Sequence, residues 1–210
     1  MMQRPPVSTV LLAGGQGTRM GGNKTLRELR GRPLIDWVHA AVAPQSAELL
    51  ISANESPSTY AYLGCAVIAD RLPGFAGPLA GLQAAMRCAR HDWVASVPCD
   101  TPFLPDDLIA RLFDAVGAGD AAVALVEGKR QPTVALYHKR VLPRLDAYLE
   151  SGERRVGGWL RTLHAGEAVF EDAAAFININ TPQDLEICAH ESNTENRPGI
   201  HQRPRQQRRV

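Results

Sequence analysis

Residues 7–24 read VSTVLLAGGQGTRMGGNK, an apolar run that passes directly into a loop rich in glycine. The run Val7–Ala13 predicts a buried β-strand because its apolar residues are nearly continuous. The loop holds five glycines in nine positions, so its backbone can turn sharply and approach a ligand closely. Exposed N–H groups in such a loop cradle anions, and Arg19 and Lys24 add positive charge. The stretch therefore predicts a strand followed by a phosphate-binding turn.

Two common phosphate-binding fingerprints do not fit this loop. The dinucleotide pattern G-x-G-x-x-G matches Gly15 and Gly17 but requires glycine where Met20 stands. The Walker A pattern requires glycine directly before its lysine, and Asn23 occupies that position. The structural alternative is a plain glycine-rich turn with two solvated basic residues. Each glycine lowers the stability of the folded chain through the conformational entropy it adds to the unfolded state. Five glycines therefore favour a nucleotide-binding loop over that alternative.

Apolar runs and amphipathic segments alternate along most of the chain. Residues 34–42, 79–89 and 104–116 each place apolar residues on one helix face. Pro105 with two following acids, and Thr181-Pro182 with an acid at position 184, mark helix starts. The β-α-β-α order predicts a mostly parallel sheet with helices on both faces. The predicted strands are Val7–Ala13, Glu48–Ala53, Cys65–Ala69, Trp93–Val97, Ala121–Val126, Thr133–Tyr137 and Ala175–Ile179.

Composition is that of an ordinary globular protein. The 210 residues are 45% hydrophobic and 21% charged, which excludes global disorder and a disulfide scaffold. Four scattered cysteines without a C-x-x-C pair argue against structural zinc and suit a reducing compartment. No signal peptide or membrane span is indicated, so a cytoplasmic location is expected. We expect one domain over residues 1–190 and a disordered basic tail over 191–210.

A second motif, VPCDTPF at residues 97–103, places Asp100 between two prolines at the end of a predicted strand. Ligands of open α/β sheets bind at the carboxyl ends of the strands. A carboxylate there suits Mg²⁺, which takes one or two carboxylates plus substrate phosphates. The alternative is an aspartate that bonds its own turn. Cys99 is expected to pack in the core, because no basic residue adjoins it.

Together these motifs resemble the nucleotidyltransferases of Rossmann-like, GT-A type fold. Residues 12–24 resemble their signature L-A-[AG]-G-x-[GS]-x-R-M-x-x-x-K, and the Leu-Ala-Gly-Gly form is similar to that of the molybdenum cofactor guanylyltransferases. Residues 99–103, 77–82 and 176–182 resemble the family's C-D-x-P-[FLY], G-P-L-A-G and F-x-N-x-N-T-P segments. The resemblance spans residues 7–189 and implies a three-layer α/β/α nucleotidyltransferase fold with a mostly parallel sheet.

The resemblance implies a catalytic site made of Arg19, Lys24 and Asp100, with Mg²⁺ on Asp100. Where the family often has an asparagine after the second strand, this chain has Ser52, so Ser52 and Asn54 are alternatives for that contact. For Asp70 the structural alternative is a turn or an ion pair with its neighbour. The implied nucleotide-binding residues are Leu12, Ala13, Gly14, Gly15, Lys24, Ser52, Asn54, Asp70 and Asp100.

A further set of residues is implied for the second substrate. Residues 152–156 resemble a family segment near the entry of a pterin, so Arg154 and Arg155 are expected to meet its phosphate. Asn178 and Asn180 would point to the same face of a strand, and one of them is expected to support the metal or this substrate. The alternatives are two solvated arginines and an Asn180 that only shapes the start of the next helix.

The implied reaction joins GTP to molybdopterin that carries molybdenum, giving the guanine dinucleotide form and pyrophosphate. The attacking phosphate is already largely ionised near neutrality, so no general base is required. We expect a monomer without membrane or nucleic-acid partners, served by delivery and acceptor proteins of the molybdenum cofactor. The alternatives are a transferase using CTP (a molybdopterin cytidylyltransferase) or a sugar phosphate, and a non-catalytic nucleotide-binding regulator. A nucleic-acid role for the arginine-rich tail is disfavoured by the mildly acidic body.

Overall fold

The computed structural model describes residues 4–14, 24–54, 56–69 and 77–190. No helix in those ranges is long and apolar enough to cross a lipid bilayer. The strands are β1 Val7–Leu12, β2 Glu28–Leu29, β3 Arg32–Pro33, β4 Glu48–Ser52, β5 Ala66–Ile68, β6 Trp93–Pro98, β7 Ala121–Val126, β8 Lys129–His138 and β9 Gly166–Phe170. The helices are α1 Leu34–Val42, α2 Pro78–Cys88, α3 Leu108–Ala115, α4 Leu142–Glu150, α5 Val156–Thr162 and α6 Pro182–His190.

The main sheet has seven strands in the order β5-β4-β1-β6-β8-β7-β9. Only β8 runs antiparallel to its neighbours, β6 and β7, while the other pairs are parallel. The prediction of a mostly parallel sheet is therefore confirmed. Leu12 lies in register with Ser52 on one side and Pro98 on the other, so the ends of β1, β4 and β6 meet at one edge. We call it the carboxyl edge of the sheet.

Helices cover both faces of this sheet. In β1, Val7 and Leu11 face the core under α1 and α3, whereas Val10 faces the core under α2, α4 and α5. This alternation follows from the two-residue period of a strand. Because both faces are buried, four of the six residues of β1 are apolar and only Ser8 and Thr9 are polar, which explains why the sequence predicted the strand. The predicted three-layer arrangement is confirmed.

The β2–β3 hairpin and α6 form a small unit beside the carboxyl edge. Arg30 and Gly31 take positive φ angles of 55° and 71° in the turn between the two strands. The guanidinium of Arg30 donates to the Cys188 carbonyl at 2.7 Å, and Leu29 and Cys188 share one buried cluster. The hairpin thereby holds the last helix of the described chain.

The start of α6 has the predicted capping arrangement. The backbone N–H of Asp184 donates to Thr181 Oγ1 at 3.1 Å, and the Asp184 carboxylate accepts from the Thr181 N–H at 2.8 Å. Such a reciprocal cap satisfies backbone donors that the first helical turn leaves without intrahelical partners.

Two sequence predictions of elements are wrong. The predicted strand Ala175–Ile179 is absent. Residues 173–176 form a 3₁₀ helix instead, capped by the Asp172 side chain, which accepts from the Ala174 N–H at 3.0 Å. The apolar run there packs onto the core, with the Phe176 ring 4.9 Å from that of Phe170. The edge strand lies earlier, at β9, and was missed. Helix α3 begins at Leu108 and not at Pro105, so the two acids precede it.

Strand β8 contains a bulge near the carboxyl edge. Val123 of β7 pairs with Ala135, but the next residue, Ala124, pairs with Gln131. Residues 132–134 of β8 are therefore extra relative to β7. Pro132 suits such a position because proline cannot donate to the ladder. The Ser96 hydroxyl of β6 donates to the Thr133 carbonyl at 2.9 Å and holds the bulge.

Candidate active site

A cleft of about 280 Å³ opens at the carboxyl edge, over the ends of β1 and β6. It brings together the first residues of the glycine-rich turn, the Asp100 motif and the segment around Asn178. These segments are far apart in sequence, and the sheet order places them side by side. The lining residues are Leu12, Ala13, Gly14, Thr25, Pro78, Pro98, Cys99, Asp100, Thr133 and Asn178.

On the β1 side, the cleft is lined by backbone that hydrogen bonds to the neighbouring strands hold in place. The Ala13 N–H donates to the Ser52 carbonyl at 2.8 Å, and the Cys99 N–H donates to the Leu12 carbonyl at 3.4 Å. The Ser52 side chain is 2% exposed, whereas Asn54 is exposed. This difference favours Asn54 as the side chain that a nucleotide reaches, although both assignments stay predictions.

Part of the predicted nucleotide site lies outside the described residues. Gly15, Arg19 and Asp70 fall there, and so does the side chain of Lys24. Their assigned roles stay predictions. The basic tail over residues 191–210 also lies outside the described chain.

Asp100 lies in the turn that follows β6, half-buried on the floor of the cleft. Its carbonyl accepts from the Ile179 N–H at 2.8 Å. The hydroxyl of the next residue, Thr101, donates to Asn178 Oδ1 at 2.6 Å. These two bonds fasten the segment before α6 to the Asp100 turn. Asn178 therefore reaches the cleft although the strand that motivated its assignment does not exist.

The other residues predicted for the second substrate differ in their surroundings. Arg154 Nη1 donates to the carbonyls of Leu149 and Glu153 at 2.6 and 2.7 Å, so it closes the end of α4. Arg155 is exposed and directly precedes α5. The Asn180 backbone N–H donates to Asp184 Oδ2 at 2.7 Å, which fits the alternative of a helix-start residue. Binding roles for these three residues stay predictions.

The donor set at the cleft suits a metal that arrives with its ligand. In the described part of the chain, no group of three or more His, Cys, Asp or Glu side chains could hold a metal. Asp100 is a single hard carboxylate at a strand end. Mg²⁺ is commonly held by one or two carboxylates and completed by phosphate oxygens and water. The residues present therefore fit Mg²⁺ bound together with a phosphate ligand.

The sequence did not indicate a role for Thr25 and Tyr60, whose side chains form a hydrogen bond beside the cleft. Tyr60 lies in the 3₁₀ helix Pro57–Leu63 and is fully buried. Its hydroxyl lies 3.0 Å from Thr25 Oγ1, and Thr25 directly follows Lys24. The bond fixes the end of the glycine-rich loop to the connection between β4 and β5. No local pattern indicates a contact between residues that lie 35 positions apart.

Comparison with known proteins points to one family. Residues 9–167 match the family described as "MobA-like NTP transferase domain". The molybdenum cofactor guanylyltransferase of Vibrio cholerae is 43% identical over 187 residues, covering 88% of this chain and 92% of that protein. The molybdenum cofactor guanylyltransferase of Cupriavidus taiwanensis is 40% identical over 200 residues, covering 91% of this chain and 100% of that protein.

Solved structures show the same fold at lower identity. Molybdopterin-guanine dinucleotide biosynthesis protein A from Archaeoglobus fulgidus superimposes with a TM-score of 0.72 at 23% identity, covering 90% of this chain and 100% of that one. The 2-C-methyl-D-erythritol 4-phosphate cytidylyltransferase from Thermus thermophilus gives a TM-score of 0.65 at 21% identity, with coverage of 88% and 98%. These likenesses confirm the Rossmann-like nucleotidyltransferase fold.

Proposed function

The chain belongs to the MobA-like NTP transferase family, and from that premise we propose that it is a molybdenum cofactor guanylyltransferase. It transfers GMP from GTP to molybdopterin that carries molybdenum and releases pyrophosphate. The observation that carries the proposal is 43% identity over 88% of the chain to the Vibrio cholerae protein of that name. The cleft around Asp100 is the proposed place of the reaction.

The proposed reaction is a displacement at the α-phosphorus of GTP. An oxygen of the terminal phosphate of molybdopterin forms the new bond to this phosphorus. The bond from the α-phosphorus to the oxygen that bridges to the β-phosphate breaks, and pyrophosphate leaves with that electron pair. The nucleophile is largely ionised near neutral pH, so the site needs no proton acceptor. Catalysis then rests on positioning and on neutralising charge.

The chain supplies this neutralisation from the loop after β1 and from the Asp100 turn. We propose that N–H groups of the glycine-rich loop, with Arg19 and Lys24, hold the phosphates of GTP. Asp100 would hold Mg²⁺ together with those phosphates. When bound, the ion adds positive charge beside the phosphate oxygens. We also propose a cytoplasmic monomer that exchanges its substrate and product with delivery and acceptor proteins.

Nucleotide selectivity gives the first test of this proposal. We expect GTP with Mg²⁺ to raise the melting temperature, and CTP, ATP and UTP to raise it much less. Ligand at 100 times its Kd adds about 2.7 kcal/mol to the free energy of unfolding. At roughly 2–4 °C per kcal/mol, the expected rise is about 5–10 °C. The measurement is a thermal-shift panel with the four nucleotides.

The other outcomes of this thermal-shift panel would favour competing functions. Selective stabilisation by CTP would favour a cytidylyltransferase, and the absence of any shift would contradict the nucleotide site. A non-catalytic regulator would bind GTP yet make no dinucleotide from GTP and molybdopterin. The cytidylyltransferase of Thermus thermophilus shares only the fold with this chain, at 21% identity. The relatives near 40% identity favour the guanylyltransferase.

Tyr60→Phe tests the bond that fixes the end of the glycine-rich loop. The variant keeps the buried ring and removes the hydroxyl that meets Thr25 at 3.0 Å. Because Thr25 then has one fewer hydrogen bond beside Lys24, we expect the KM for GTP to rise about fivefold, with kcat changed less. Steady-state kinetics with GTP varied at saturating molybdopterin measures both constants.

Tyr137→Phe is the matched control for this variant. Tyr137 is also fully buried, but it pairs with Val94 towards the amino ends of the parallel strands. Its hydroxyl lies beside Ser96 without a hydrogen bond of good geometry in the described ranges, so its loss should cost little stability. We expect the KM for GTP to stay at the wild-type value. Equal KM values in both variants would contradict the role of Tyr60.

A further inference from the structure

The bulge in β8 delivers one polar side chain to the cleft. Residues 132–134 are extra relative to β7, and Thr133 at their centre lines the cleft. Bulges beside active sites commonly re-aim a side chain. The Ser96 hydroxyl, 2% exposed, donates to the Thr133 carbonyl and so fixes the bulge from the neighbouring strand. The local structure therefore holds Thr133 at a defined position.

Thr133 lies across Asp100 from Gly14, the first residue of the glycine-rich loop. The sheet order β1-β6-β8 puts Gly14, after β1, on one side of the Asp100 turn and the bulge of β8 on the other. Asn178 lines the cleft as well and is tied to Thr101, the neighbour of Asp100. In an in-line displacement, the incoming and leaving groups lie on opposite sides of the reacting phosphorus. If the loop holds the leaving pyrophosphate, the incoming phosphate approaches from the Thr133 side.

The available donors on this side suit an anion. Within the described ranges, Thr133 uses its carbonyl to accept from Ser96, and no residue there bonds its hydroxyl. The oxygen of the Asn178 amide is taken by Thr101, which leaves its N–H₂ group for a ligand. Two donors thus stand where a phosphate would enter. Hydrogen bonds from such groups to an ionised phosphate are stronger than bonds between neutral groups.

We propose that Thr133 binds the terminal phosphate of molybdopterin through its hydroxyl and, with Asn178, forms the subsite for the incoming phosphate. This inference rests on the proposed function and adds to it a residue that sets the affinity for the second substrate. Ser96 acts as a positioning residue. Its hydroxyl holds the Thr133 carbonyl in the bulge and does not contact the substrate.

The test measures the KM values for GTP and for molybdopterin carrying molybdenum in Thr133→Val. This variant keeps the shape of the side chain and loses the hydroxyl. We expect the KM for molybdopterin to rise about tenfold, while the KM for GTP and the GTP-induced thermal shift stay unchanged. Thr133→Ser, which restores the hydroxyl, should return close to wild type. Ser96→Ala should raise the KM for molybdopterin by a smaller factor.

Thr162→Val serves as the matched control. The Thr162 hydroxyl donates to the Trp159 carbonyl at 2.7 Å within α5, outside the cleft. Both of its KM values should equal those of the wild type. A wild-type KM for molybdopterin in Thr133→Val would overturn the inference, as would equal rises for both substrates. If the wild type forms no guanine dinucleotide product, the proposed function itself fails and the inference with it.

Discussion

Asp100→Ala is expected to lower guanylyl transfer by about a thousandfold while the protein stays folded. Asp100 is half-buried at the open end of β6, and the proposed mechanism gives its carboxylate the task of holding Mg²⁺ with the phosphates. Its carbonyl accepts from the Ile179 N–H at 2.8 Å and so contributes to the fold. Alanine retains that carbonyl. We therefore expect a large loss of turnover and a melting temperature close to that of the wild type.

The measurement is the rate of dinucleotide formation in wild type, Asp100→Ala and Asp100→Asn. The asparagine variant keeps the size of the side chain and removes its charge, so it should be nearly as slow as the alanine variant. Asp107→Ala is the matched control, since Asp107 is exposed and its carboxylate lies 3.7 Å from Arg111 in a surface ion pair. Wild-type rates in both Asp100 variants would refute the metal assignment.

Gly166→Ala is expected to lower the free energy of unfolding by about 3 kcal/mol or more. A Cβ at Gly166 would lie 1.8 Å from the carbonyl oxygen and 2.8 Å from the carbonyl carbon of Ala115. Both atoms belong to the backbone at the end of α3, so β9 and α3 must separate to admit the methyl group. Glycine is required here by the close approach of the strand to the helix. Denaturant unfolding monitored by circular dichroism measures the loss.

Gly157→Ala is the matched control, and we expect it to raise the free energy of unfolding instead of lowering it. Gly157 lies in the first turn of α5, and a Cβ there would have nothing within 4 Å. Alanine is favoured over glycine in a helix by up to about 1 kcal/mol, so this variant should be more stable than the wild type. Equal stability of the two variants would show that the contact at Gly166 relaxes without cost.

The sequence was most informative where strands are covered on both faces. The strands β1, β4, β6 and β7 are mostly apolar because helices lie above and below them. Strand β9 alternates instead, with Val169 57% exposed at the edge of the sheet, and its five residues carry a weak pattern. The run at 175–179 is apolar because it covers the core, and tertiary packing makes part of it a 3₁₀ helix.

The residues of the candidate site likewise fall into those that the sequence predicted and those that it did not. Asp100 and the turn after β1 were predicted because each motif is contiguous and each follows a strand. Thr25 and Tyr60 meet only in the folded chain, so their bond has no local pattern. Thr133 depends on a bulge whose one trace in the sequence is Pro132, a residue that a regular inner strand disfavours. Contacts between segments far apart in sequence, rather than composition, create these two features.

The central place of β1 in the sheet also governs how the protein can be synthesised. Strand β1 leaves the ribosome before both of its neighbours, β4 and β6, and its first residue, Val7, pairs with Trp93. Until Pro98 emerges, one hydrogen-bonding edge of β1 has no permanent neighbour, and unpaired apolar edges favour association between chains. Between the emergence of β1 and that of β6, this edge of a nascent chain is therefore open to pairing with another chain.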